Sequence, residues 1–378
     1  MTALPDFKLE TYFAKWEFNC RHHMTASDAE SLSLKDLLSM ATDAERAEFE
    51  DMWLGYTETW GAPDVRQIVS GMYAERSADE VLCFAGASEG IFAAHQILLD
   101  QDSHAIAITP NYQSHESLPN AVCATTGVPL DPDDSWSLNI DRVADAIRTN
   151  TRLLTINFPH NPTGKILERD RFDALIALCR KHGIYILSDE IFNGLGRTGT
   201  EHLPFVTDVY ERGLSLNVTS KAYGLPGLRV GWIACADRDL LSRMERLKHY
   251  LSICNAGPSE RLTKIAMTYR NDILRRNCQI IDRNVESLNQ FFAQHQDLFD
   301  WQPSDGSCMA FPRYTGSDGV EVFCKRLIEE AGVLLLPSSI YASALGQTPV
   351  DRFRIGFGRR QVPEGLAAMQ AYIDEAYA

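Results

Sequence analysis

The chain has no apolar run approaching the ~20 residues of a membrane span, and its first ten residues do not pair a basic stretch with an apolar one, so neither an anchor nor a secretory leader is expected. It has no excess of positive charge. The formal net charge is -15, which argues against nucleic acid and anionic membrane surfaces as partners. Nine cysteines are present, but none forms a Cys-x-x-Cys pair, so neither zinc binding nor dithiol redox chemistry is expected. Several of them sit in apolar stretches as small hydrophobes, and reduced thiols in a cytoplasm are the expected state. Tandem repeats and low-complexity segments are absent. With 378 residues, 45% of them hydrophobic and 23% charged, the composition is that of an ordinary soluble protein with two packed lobes.

From about residue 81 to 235 short apolar runs alternate with longer amphipathic ones. The spacing predicts strands at 81–84, 105–109, 153–157, 184–187, 214–218 and 230–235, with a helix over 169–182 whose apolar face carries Phe172, Leu175, Ile176 and Leu178. This is an α/β pattern, a mostly parallel sheet with helices on its faces, in which ligands bind beyond the carboxyl ends of the strands. Helices are expected over 240–251, 259–269 and 272–295, followed by a small α+β unit with strands at 332–337 and 353–357. The first 45 residues leave the alternating pattern and read as an arm that packs on the C-terminal unit or on a partner subunit. The expected division is 1–45 for the arm and part of the small domain, 46–265 for the large domain and 266–378 for the C-terminal small one.

The most informative stretch is Ser220-Lys-Ala-Tyr-Gly-Leu-Pro-Gly-Leu-Arg229, which presents an amine and a guanidinium in one loop at a sheet edge. The amine suits a Schiff base with an aldehyde cofactor, and the guanidinium suits that cofactor's phosphate. Gly86-Ala-Ser-Glu-Gly90 opens a helix after a strand, which favours an anion at its free N–H groups; this turn has neither a dinucleotide fingerprint nor a Walker loop. Phe158-Pro-His-Asn-Pro-Thr-Gly164 forms a rigid turn that aims Asn161 over the strand ends, with His160 read as a packing residue. Asp189 ends an apolar strand, where a carboxylate is costly unless it meets a cation, although a helix cap explains it as well. Tyr112 follows another strand, as a core residue or as a face for a flat ligand. Arg354, inside an apolar run, calls for a carboxylate, either of a substrate or in a structural ion pair. Glu10 and Glu17 on the arm could meet a cationic side chain; solvated charges on an amphipathic helix are the preferred reading.

Taken together, the Asn-Pro-x-Gly turn, the Ser-Asp-Glu strand end and the Ser-Lys…Gly-Leu-Arg loop resemble the aspartate-aminotransferase superfamily, the class I/II enzymes that use pyridoxal 5′-phosphate. The resemblance runs from Tyr56 to Arg354 and implies a seven-stranded large domain with a small α+β domain. It implies that Lys221 forms a Schiff base with the cofactor, that Asp189 pairs with the ring nitrogen, that Asn161 bonds the phenolic oxygen and that Tyr112 stacks on the ring. Ala87, Ser88, Ser220 and Arg229 would hold the phosphate, and Arg354 the α-carboxylate of an amino-acid substrate. Tyr56 matches the tyrosine that reaches a neighbouring subunit's phosphate, which implies a homodimer with shared sites. Two positions depart from the family: Phe192 stands where a tyrosine is common, and Val218 replaces a frequent serine. The stretch Ile253-Cys-Asn-Ala-Gly-Pro-Ser-Glu260 further resembles the capreomycidine-synthase-like branch, so elimination or ring closure on a hydroxyarginine-type substrate is the alternative to transamination.

Overall fold

The computed structural model describes residues 3–197 and 202–377. In chain order the strands begin with β1 (His22–His23) in the arm. The central sheet is built from β2 (Val81–Phe84), β3 (His104–Thr109), β4 (Ala124–Pro129), β5 (Thr151–Asn157), β6 (Tyr185–Asp189), β7 (Gly213–Val218) and β8 (Gly231–Ala234). Its order is β2-β8-β7-β6-β5-β3-β4, parallel throughout except that β8 runs antiparallel to both of its neighbours. Every residue of β2, β3, β7 and β8 is buried, because helices such as Ala87–Leu98 and Arg169–His182 cover the sheet and a parallel strand buried on both faces reads as a continuous apolar run.

Of the central-sheet strands, the one absent from the sequence reading is β4. It lies at the sheet edge and contains Gly127 and Pro129, residues that interrupt a strand pattern but that an edge tolerates. Gly127 is required there, since a Cβ would stand 2.6 Å from that of Leu345. The expected strand over 332–337 is two shorter ones, β12 (Val333–Leu334) and β13 (Leu336–Pro337), which follow β9 (Phe299–Asp300), β10 (Met309–Ala310) and β11 (Arg313–Tyr314). They belong to different sheets: β12 pairs with β1, while β13 pairs with β14 (Phe353–Gly356).

The arm packs on the C-terminal strands of its own chain. After the helix Lys8–Trp16, β1 runs parallel to β12, and residues 24–30 then cross from β14 to the lysine loop. Gly356 N donates to Met24 O at 2.8 Å, Ala29 N to Lys221 O at 3.1 Å and Glu30 N to Gly358 O at 2.8 Å. This strap lies against Gly356, where a Cβ would come within 2.0 Å of Ala26 O. Gly356→Ala should therefore push the strap off β14 and cost about 1–3 kcal/mol, measured as a lower midpoint in urea unfolding. An unchanged midpoint would mean that the strap does not rest on β14.

Candidate active site

The strand ends of the sheet open into a cavity of about 400 Å³. Eight of the nine residues that the resemblance assigns to the cofactor line it: Ala87, Ser88, Tyr112, Asn161, Asp189, Ser220, Lys221 and Arg229. At one end β2 turns through Gly86, at φ +93°, into the helix Ala87–Leu98. A Cβ on Gly86 would stand 2.5 Å from Arg229 Nη2, so the bare backbone lets the guanidinium close on the turn. Arg229 Nη1 also donates to Ser220 Oγ at 3.3 Å. Helix N–H groups, a hydroxyl and a guanidinium thus converge as an anion site.

Asp189 ends β6 with 2% of its surface exposed. Its Oδ2 lies 2.9 Å from His115 Nε2, and its Oδ1 accepts from Ile191 N at 3.4 Å. Asn157 Nδ2 donates to the Asp189 carbonyl at 2.7 Å, and Asn157 Oδ1 accepts from Asn161 N at 2.9 Å, which ties the Asn161 turn to the carboxylate's strand. His160 is a packing residue: its Nε2–H donates to Pro110 O at 2.8 Å and its Nδ1 accepts from Thr163 Oγ1 at 2.9 Å. Burial pushes its pKa down to about 4, so the ring is neutral.

Lys221 follows β7 and donates from Nζ to Ser27 Oγ at 2.9 Å. Burial pushes its pKa below the ordinary lysine value, opposed in part by Asp28 and reinforced by Arg354. A larger share of free amine, the nucleophilic form, is present at neutral pH as a result.

Arg354 has no exposed surface and stands behind Asn161 rather than on the cavity wall. Its Nη1 donates to Asn161 Oδ1 at 3.2 Å and to Tyr341 Oη at 2.5 Å, its Nη2 to Thr25 O at 2.7 Å and its Nε to Thr25 Oγ1 at 3.3 Å. These partners are all neutral, and the structural ion pair considered from sequence is not found among the described residues.

Tyr56 is not in the cavity. It is 86% exposed, on a loop with Trp53 and Leu54, which are also exposed. Phe192 and Val218 do line the cavity. Glu10 and Glu17 both line the cavity, Glu10 exposed and Glu17 half-buried, and Tyr112 Oη donates to Glu10 Oε1 at 3.4 Å. Sequence reasoning missed His115, Ser27, Asp28, Arg359 and Tyr341. Asp28 takes both Oδ atoms to Arg359 Nη2, at 3.0 and 2.9 Å, and both residues line the cavity. A signal existed for His115, which lies three residues after Tyr112 in the first turn of the helix Ser114–Val122; the strap residues carried none.

The family model for class I and II aminotransferases matches residues 19–367. Among curated proteins the chain is similar to the capreomycidine synthase of Streptomyces vinaceus, with 28% identity over 97% of this chain and 93% of that one. It is similar as well to the arginine–pyruvate transaminase of Pseudomonas aeruginosa, with 31% identity over 80% of this chain and 77% of that one. Among solved structures, a PLP-dependent aminotransferase from Streptococcus suis has the same fold, with a TM-score of 0.91, 24% identity and 99% of each chain covered.

The depressed lysine has a direct consequence. Condensation of the apoprotein with pyridoxal 5′-phosphate, followed by absorbance, should accelerate with pH to a midpoint below that of a free lysine, and borohydride should fix the label to the peptide containing Lys221. A label on any other peptide would remove Lys221 from the chemistry.

Proposed function

We propose a function that starts from the family: this chain belongs to the class I and II aminotransferases, and it is an enzyme that works with pyridoxal phosphate. The reaction we infer is transfer of the amino group of an α-amino acid. The residues present fit that cofactor. The glycine cradle at Gly86 admits Arg229, the amine of the half-buried Lys221 faces the cavity with a depressed pKa, and Asp189 is a buried carboxylate at a strand end. When bound, the cofactor supplies an aldehyde that condenses with amines and a protonated ring that takes up the electron pair released at the substrate's α-carbon.

Each side chain has a role in this reading. Ala87, Ser88, Ser220 and Arg229 hold the phosphate, Tyr112 covers one face of the ring, and Asn161 bonds its phenolic oxygen. Asp189, oriented by His115, keeps the ring nitrogen protonated. Lys221 would hold the cofactor through its amine and would be the base that moves the substrate's α-proton; Ser27 Oγ accepts from that amine at 2.9 Å. Phe192 leaves the phenolic oxygen without the hydroxyl donor common in the family.

The observation that carries the reading is Arg354. A fully buried guanidinium with only neutral partners lacks a counter-charge, and the α-carboxylate of an amino acid supplies one in bidentate geometry. Asn161, which lines the cavity, stands between it and the space a substrate would occupy. Arg354→Lys, which keeps the charge but not the fork, should lower kcat/KM by a factor equivalent to roughly 2–5 kcal/mol. Equal turnover of an amino acid and its decarboxylated amine would exclude Arg354.

The cavity mouth indicates the substrate's side chain. Among the described residues Glu10 and Glu17 have no lysine or arginine as ion-pair partner. His23, 3.7 Å from Glu17, is held neutral by burial, which pushes its pKa down to about 4. Asp28 is neutralised by Arg359. Two carboxylates therefore face the substrate, which favours an amino acid with a guanidinium or ammonium side chain, as in the arginine–pyruvate transaminase. The likeness to capreomycidine synthase over almost the whole chain supports elimination and ring closure on such a substrate as the second reading. Single-turnover spectra with a panel of amino acids separate the two: transamination needs an oxo-acid acceptor to recycle the enzyme, and ring closure does not. Glu17→Gln should raise KM for the cationic substrates about tenfold while sparing neutral ones. A uniform change across the panel would assign Glu17 to folding instead.

We also propose a homodimer, in which the exposed Tyr56 loop reaches a second copy's phosphate site, and a cytoplasmic location, which suits nine unpaired cysteines. Residues 46–265 are taken as the cofactor-binding domain and 266–378 as the small domain.

A further inference from the structure

Lys248 is a buried lysine with 0% of its surface exposed and no part in the chemistry described above. Its Nζ donates to Thr59 O at 2.7 Å, Cys83 O at 2.7 Å and Asn255 Oδ1 at 2.9 Å. Three acceptors match the three N–H bonds of an ammonium. The amide of Asn255 in turn donates from Nδ2 to Phe84 O at 2.7 Å. Glu89 completes the set, with Oε2 accepting from Ala85 N at 2.5 Å and Oε1 from Ser252 N at 3.1 Å. The segment 248–255 therefore fixes three consecutive residues, Cys83, Phe84 and Ala85, that lead directly into Gly86, Ala87 and Ser88.

We propose that Lys248, acting with Asn255, is a positioning residue for the phosphate turn. Its ammonium and the Asn255 amide set the carbonyl directions at the end of β2, so that the N–H groups that follow point at the anion without reorganising when it binds. The proposal rests on the reading that residues 86–88 receive the cofactor's phosphate. It explains why a lysine is kept in a dry site with no carboxylate in contact, which is costly unless the ammonium's hydrogen bonds are all made. It also gives a role to Asn255 in the Asn-Ala-Gly-Pro-Ser-Glu stretch, which the chemistry leaves unused. The same ammonium holds Thr59, and Thr57 Oγ1 donates to Asn255 O at 2.9 Å, so the loop carrying Tyr56 is anchored to the phosphate turn.

The test compares affinities for pyridoxal 5′-phosphate and for pyridoxal, which lacks the phosphate, in the full-length apoprotein. Lys248→Met and Asn255→Ala should each weaken pyridoxal phosphate binding by about tenfold or more, the loss expected for a hydrogen bond to a charged group, while pyridoxal affinity changes by less than about threefold. Equal losses for both ligands would show a general loosening and overturn the proposal, as would unchanged pyridoxal phosphate affinity. Asn255→Ala decides the matter alone if Lys248→Met does not fold. Arg229→Ala, a direct contact in the proposed phosphate site, must show the phosphate-specific loss. If Arg229→Ala leaves the affinity intact, the phosphate assignment itself fails and the proposal falls with it; a loss for Arg229→Ala but not for the other two condemns only the role of Lys248.

Discussion

Burying the guanidinium of Arg354 among Thr25, Asn161 and Tyr341 places a positive charge in a dry site without a negative one. Much of the molecule is arranged to hold it there. The arm supplies Thr25, whose carbonyl and hydroxyl take two of the guanidinium's nitrogens. The Asn161 turn supplies an amide oxygen from the central sheet, and β14 supplies the arginine itself. One side chain thus joins three distant parts of the chain.

The same strap sets the lysine. Ala29 bonds the Lys221 carbonyl and Ser27 its amine, so the position of that nitrogen depends on residues 194 positions earlier. Burial lowers the amine's pKa and Asp28 moderates the shift, while Asp28 is itself paired with Arg359. The arm also brings Glu10 and Glu17 to the cavity wall.

Proton positions around the strand ends are fixed by burial. His95 and His160 are held neutral, with pKa values pushed down to about 3 and about 4. His115, beside Asp189, is the histidine in contact with the carboxylate.

The sequence by itself determined the sheet and the lysine loop. Buried parallel strands must be apolar on both faces, so β2, β5, β6 and β7 stand out as apolar runs, and the residues following them are the ones that line the cavity. Gly86 and Arg229 were legible for the same reason, since a tight turn and a lone guanidinium mark themselves in sequence. Edge strand β4 escaped because an edge tolerates the glycine and proline that disguise it. Only the tertiary structure decided what the arm does. Ser27, Asp28, Arg359, Tyr341 and Lys248 meet their partners across separations that leave no periodic trace, and the orientation of Glu10 and Glu17 depends on how the helix Lys8–Trp16 lies on the strands behind it. Local pattern records which face of an element is dry; contact between distant segments is set by packing, and packing exists only in the folded chain.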